Sequence, residues 1–349
     1  MTFTLRVTAS RAVWIAVICA ATAPGARAQV VQRNAQFRLP AGYNFAFYDT
    51  YPDAARSFYA AHFAHFGIYE VLYRSGPGDS AALGRLERMI RDYIARPPRL
   101  EPPAEIIAPS WAKIAWRTAS AMDWTHMLHS QLYDILTDDR VMDKRAAGER
   151  AIAYYLSNPD AFSTRGYGHA FMLGGGPWAA TFSATFPSLN GILWAYHWHH
   201  AAVYEALMEP DAASRAAALE RVLGTFRDSV LADPPRSMPL TAEIAPRFSA
   251  MFPAAAHIFD NLHMMHDVVN DIMADTRISL DQKGTEIGRM LGLMGYRGQD
   301  TVVPPETPAH AHGHMPAMRP PTRLPDGRWL PQGHPAAREH DHERREDEP

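Results

Sequence analysis

Long stretches rich in Ala, Leu, Met and aromatic residues follow Pro52, Pro187 and Pro253, the placement of a proline that opens a first helical turn. Shorter, more polar segments of helical composition come after them, at 80–95, 143–156, 211–231 and 279–294. The alternation of apolar and polar positions that marks a half-buried strand is missing. The pattern predicts an all-α protein assembled from helical hairpins.

The order of segments recurs. The sequence Ala61-His62-Phe63-Ala64-His65 returns in kind around His126, His197 and His263, at spacings of 64, 71 and 66 residues. In three copies an aromatic-proline pair stands ahead of the first histidine, as Tyr51-Pro52, Phe186-Pro187 and Phe252-Pro253; the second copy has Trp116-Arg117 instead. This predicts four diverged copies of a two-helix unit, forming a single helical domain over 29–300. Between the second and third copies, 158–178 carries Gly166, Gly168, His169 and Gly174-Gly175-Gly176-Pro177. It lacks the strand-to-helix context of a phosphate-binding loop, and is expected to be a surface loop or a lid.

The ends differ from this core. Arg6 and Arg11, the apolar run 12–23 and Ala26-Arg27-Ala28 have the form of a signal peptide over 1–28, which places the mature chain outside the cytoplasm, periplasmic or secreted. The run is too short for a membrane anchor, and no stable membrane insertion is expected after cleavage. Cys19, the one cysteine, lies in this segment, so the mature chain has no disulfide, thiolate ligand or cysteine nucleophile. From Thr301 the chain is proline-rich, then charged, with His310, His312, His314, His334, His340 and His342; it is expected to be a disordered tail over 301–349. With 34 basic against 37 acidic residues, no electrostatic footprint for nucleic acid is present. Protein partners are not legible in the sequence.

The chemistry lies in the four cores: His62-x-x-His65 with Glu70, His126-x-x-His129 with Asp134, His197-x-x-His200 with Glu205, and His263-x-x-His266 with Asp271. His-x-x-His occurs only at these four places, and an acid follows five residues after the second histidine every time. Chance agreement has a probability on the order of one in ten thousand at this composition. On a helix, positions i, i+3 and i+8 fall on one side. Imidazoles and carboxylates pointing inward from four helices are how bundles build metal sites. All twelve side chains are therefore expected as ligands of a central, multinuclear transition-metal site. Parallel motif helices would stack the histidines in two layers with the acids beyond, whereas alternating directions would mix acids with histidines. Tyr69, Tyr133 and Tyr204, with Asn270 at the fourth position, are expected to be core packing. His199, His169 and His257 are read as surface or supporting residues.

The spacing of His266 and Asp271 resembles that on one helix of hemerythrin-type di-iron bundles, where both residues ligate. The other ligand spacings of that family are absent, as is the paired Glu-x-x-His of ferritin-like proteins. Imidazole and carboxylate without thiolate suit copper slightly better than iron or zinc. Two functions fit: metal storage or handling, and a metal-dependent oxidoreductase that activates a small oxidant. No nucleophile elbow, phosphate loop or dinucleotide fingerprint is present.

Overall fold

A computed structural model of the chain describes residues 37–167, 178 and 181–298. The segment 1–28 expected to be a signal peptide, the glycine run 174–176, His169 and the histidine-rich tail lie outside the described residues. Among those described the architecture is all-helical, with fourteen α-helices, one π turn and no β-strand. None of these helices is long and apolar enough to cross a membrane.

Four long helices carry the motifs: α2 (Pro52–Ser75), α6 (Trp116–Thr137), α9 (Pro187–Leu207) and α13 (Pro253–Ala274). Each starts ten residues before its first histidine. Proline occupies the first turn of three, where its missing N–H costs nothing. The second begins on Trp116 after Ala115, whose backbone angles resemble those preceding the prolines. These helices are buried on nearly all sides; in α13 almost every residue from Ala255 to Ala274 is inaccessible. A helix without a polar face belongs in the centre of a bundle.

The polar segments form outer helices: α3 (Ser80–Ala95), α7 (Lys144–Leu156), α10 (Ala212–Thr225) and α14 (Leu280–Met294), each packed on the motif helix before it. Asp79, Asp143 and Asp211 cap the first three by accepting from the backbone N–H groups of Ala82, Ala146 and Ser214, and the Gln282 side chain accepts from the Ser279 N–H at the fourth. Such caps are each worth about 1 kcal/mol. The helix expected over 211–231 ends early, because Phe226–Val230 is a π turn. It seats Phe226 against the rings of Tyr196 and His199 at 5.2 and 4.6 Å.

Short helices lead into the motif helices: α1 (Ala46–Thr50) before α2, α4 (Ala104–Ile107) and α5 (Trp111–Ile114) before α6, α8 (Thr181–Thr185) before α9, and α11 (Thr241–Ile244) with α12 (Pro246–Met251) before α13. Helix α14 approaches α5 closely at Gly284, where an added Cβ would sit 2.6 Å from the Ile114 carbonyl oxygen. Gly284→Ala is expected to lower stability by about 1–3 kcal/mol, the usual cost of overpacking, despite alanine's better helix propensity. Urea unfolding measures it, and an unchanged or raised midpoint would contradict the close approach.

Candidate metal centre

Helices α2 and α6 run antiparallel across the bundle, as do α9 and α13, while the adjacent pairs α2 with α13 and α6 with α9 run parallel. Phe58 near the start of α2 meets Tyr133 near the end of α6 at 5.4 Å, while the rings of His62 and His126 meet at 4.4 Å. Tyr204 of α9 meets Phe259 of α13 at 5.4 Å, and His197 meets His263 at 3.9 Å. Helices α6 and α13 are also antiparallel, with His126 5.9 Å from His266 and His129 6.2 Å from His263. All eight motif histidines thus join one cluster, each at most 4% exposed.

Three of them, His65, His126 and His266, bring ring nitrogens within 4.8 Å of one another. A second group of the same spacing is His62, Asp123 and His126. Either group could hold a metal ion. Nε2 has no hydrogen-bond partner in His65, His126, His129, His200, His263 or His266. Buried polar atoms are nearly always satisfied, so six unpaired imidazole nitrogens in one interior are a donor set lacking its acceptor.

Several rings are already held in a ligating orientation. His263 Nδ1–H donates to the Phe259 carbonyl at 2.7 Å, which leaves the Nε2 lone pair free. Nδ1 of His266 lies 2.6 Å from the Tyr69 hydroxyl, and that hydroxyl lies 3.3 Å from the His266 carbonyl. When the phenol donates to the carbonyl, Nδ1–H donates to the phenol, and Nε2 again carries the lone pair. Tyr204 holds His129 in the same way, at 2.9 Å to Nδ1 and 3.3 Å to the carbonyl. Tyr133 donates to the His200 carbonyl at 2.9 Å. The tyrosines expected only to pack are therefore tied to the histidines. Tyr69→Phe is expected to weaken metal binding about tenfold while leaving the helical spectrum intact, the scale on which partners of ligating histidines act. Competition titration against a chromophoric chelator reads the change; unaltered affinity would reduce Tyr69 to packing.

Burial drives the pKa of His65, His126, His129, His200, His263 and His266 well below the usual imidazole value, and neighbouring imidazoles add to the shift. His197 and His199 are pushed down to about 3, again by burial. These rings are neutral at pH 7, the form that ligates. His62 is the exception. Burial alone would lower it, but Glu101 on Nδ1 and Asp123 on Nε2, the latter at 2.8 Å, raise it to about 9. Its counterpart His197 has Nε2 3.3 Å from Asp260, off hydrogen-bond geometry, and burial raises Asp260 to about 7.

These shifts set the acid stability of the metal-free protein. An unfolded chain protonates its histidines near pH 6.5, whereas the folded rings do not, so stability is full above that value and falls as pH drops. His62, Asp260 and Asp267, the last also raised to about 7 by burial, act in the opposite sense, favouring the folded state at the lower pH. The depressed histidines outnumber them, and the urea midpoint is expected to fall steeply between about pH 7 and pH 5. A flat profile would mean that the cluster is hydrated or charged.

The four motif acids are not gathered with the histidines. Each accepts from backbone N–H groups at the start of a short helix. Glu70 takes those of Ser110 and Trp111 on α5 at 2.9 and 3.1 Å. Asp134 takes those of Phe45 and Phe47 on α1, both at 2.9 Å, together with Arg38 at 2.6 Å. Glu205 takes those of Arg247 and Phe248 on α12, at 3.1 and 3.4 Å. Asp271 takes that of Phe182 on α8 at 2.6 Å. A carboxylate at a helix N-terminus satisfies orphan donors and meets the positive end of the dipole. The arrangement is reciprocal: α2 holds the short helix that leads into α6, and α6 holds the one that leads into α2. Helices α9 and α13 exchange acids in the same manner.

Sequence reasoning missed the acids that do meet the histidines. Asp123 and Asp260 stand three residues before His126 and His263 and each also accepts from the start of a short helix, at Ala104 and Thr241. The readable signal was Asp-x-x-His-x-x-His, present only in the second and fourth motifs. Glu101 had no signal. His199, read as surface or supporting, is fully buried with neither ring nitrogen hydrogen-bonded. His257 is a supporting residue that contacts the Thr164 carbonyl.

No family model, no curated protein and no solved structure matches this chain.

Proposed function

We propose that this is an exported metal-binding protein that stores or hands on transition-metal ions, with His65, His126 and His266 as one centre and His62 with Asp123 beside it. The observation that carries the reading is the convergence of buried, neutral imidazoles whose Nε2 atoms have no partner. A metal ion would supply the missing acceptor for His65, His126 and His266. Imidazole donors without thiolate, and the affinity order of first-row ions, favour copper over iron or zinc. The low exposure of every ring fits an ion held away from solvent rather than one offered to a bulky substrate. Titrating the full chain with Cu(II) and Zn(II) against chelators of graded affinity tests the reading: tight binding of either ion to the core supports it, and absence of binding at micromolar metal overturns it.

The second reading is an oxidoreductase, favoured by the phenols. Tyr69 and Tyr204 contact candidate ligands, and the rings of Tyr133 and Tyr204 lie 4.4 Å apart. Such a group of phenols beside a redox ion can carry an electron hole. Oxygen consumption by the copper-loaded protein with an added reductant, at a rate above that of free copper, would move the assignment to this reading.

A further inference from the structure

We propose that His129, His200 and His263 form a second metal centre, the internal counterpart of the first, so that the core holds two ions in matched tri-histidine sites. The proposal rests on the metal-binding reading and adds a location and a stoichiometry to it.

The two centres correspond contact by contact. Each draws one histidine from a first or third motif helix, His65 or His200, and two from the others, His126 with His266 or His263 with His129. In each, a tyrosine four residues after the first of these histidines, or its counterpart, grips a ligand across the bundle: Tyr69 holds His266 and Tyr204 holds His129, through the same pair of atoms. Beside each centre a further histidine lies tilted against the ligand, His62 against His126 at 4.4 Å and His197 against His263 at 3.9 Å, both at 54°. An aspartate meets that histidine each time, Asp123 or Asp260, while also accepting from a short-helix N–H.

The rings surround one point, although their nitrogens are not drawn within 4.8 Å of one another as those of the first centre are, so an ion here would pull them inward. With metal to imidazole nitrogen at about 2.0–2.1 Å, three rings around one tetrahedral ion have centroids about 5.2 Å apart. The rings of His129, His200 and His263 are separated by 5.6, 6.2 and 5.6 Å, a more even triangle than the 4.0, 5.9 and 6.4 Å of the first centre. All three Nε2 atoms are buried and unpartnered. Phe259 stacks on His129 at 3.5 Å and Phe58 lies 4.8 Å from His200, so the site is walled by hydrocarbon, and water is a poor substitute for the missing acceptor.

The centres are not identical. His62 is engaged on both nitrogens by Glu101 and Asp123, whereas the stretch corresponding to Glu101, Arg236-Ser237-Met238, contains no acid. The first centre therefore stands beside a histidine locked by two carboxylates and the second beside one met only by Asp260.

The test uses the full chain with His310, His312, His314, His334, His340 and His342 replaced by alanine, so that tail binding does not enter the count. The apoprotein is titrated with Co(II), whose visible bands report tetrahedral imidazole coordination, and then with Zn(II) as the displacing ion. Two equivalents are expected, with His200→Gln and His65→Gln each removing one and keeping the other. An unmutated core that binds only one equivalent, unaffected by His200→Gln, or two equivalents that both survive His200→Gln, overturns the second centre while leaving the metal-binding reading in place. No bound cobalt or zinc overturns both. Should a glutamine variant unfold, the positions of anomalous scattering peaks in zinc-loaded crystals of the chain with an unmutated core decide the matter: a peak among His129, His200 and His263 supports the second centre, and a peak only at the first contradicts it.

Discussion

Asp134→Ala is expected to destabilise the protein by about 2–4 kcal/mol, from one buried and one partly buried N–H group left unpaired and a lost cap, while leaving its metal stoichiometry unchanged. Both carboxylate oxygens are already occupied: Oδ1 accepts from Phe47, and Oδ2 accepts from Phe45 and Arg38. Phe45 has φ of 72°, a left-handed conformation that costs a non-glycine residue about 1–3 kcal/mol and needs surrounding contacts to persist. Removing the acceptor strands the two N–H groups, deprives Arg38 of its partner and frees that strained turn. Arg38 is partly exposed, and solvent softens the loss of its ion pair. Chemical denaturation beside a metal count separates the two roles. Loss of a metal equivalent with little change in stability would restore the acid as a ligand.

His126→Ala is expected to show the opposite profile. His126 belongs to both candidate groups around the first centre, and losing a ligand should weaken metal binding there by about a hundredfold or more, at or beyond the upper end of effects seen for residues that merely support a ligand. Stability of the metal-free protein should change far less. Truncation in a core leaves a cavity costing about 2–4 kcal/mol, but it also removes two buried nitrogens without hydrogen-bond partners, whose desolvation penalty is about 1–3 kcal/mol each. The two effects largely offset. Saturating metal at about a thousand times its dissociation constant adds about 4 kcal/mol per site to the intact protein, so the variant should lose most of its metal-induced stabilisation at this centre. A large loss of stability in the metal-free variant, with binding intact, would instead make His126 a structural core residue.

The helical scaffold was legible because its signals are local. Proline at the first turn of three motif helices and the contrast between apolar and polar segments lie within a few residues of what they determine. The inward direction of the histidines was legible for the same reason, since i and i+3 share a helix face. The fate of the acids was not. Glu70, Asp134, Glu205 and Asp271 share a spacing that suits ligation, yet their partners lie between 40 and 89 residues away along the chain, and backbone N–H groups carry no sequence signature. The fixed spacing has a structural cause: five residues past the second histidine, an acid reaches the short helix that introduces a neighbouring motif helix. Glu101 was invisible because it belongs to a connecting segment whose path is set by tertiary packing. The fourth tyrosine position shows what the exchange of one residue leaves behind. Asn270 stands where Tyr133 donates to the His200 carbonyl, and its buried amide has no partner.

The most direct test of the central claim is elemental analysis of the full chain, purified from its native host, with the six tail histidines replaced by alanine. The account predicts a small whole number of transition-metal ions per chain, two when fully loaded and copper foremost, retained through dialysis against a weak chelator. A chain that carries no metal above background, and takes up none when copper or zinc is supplied, would contradict it.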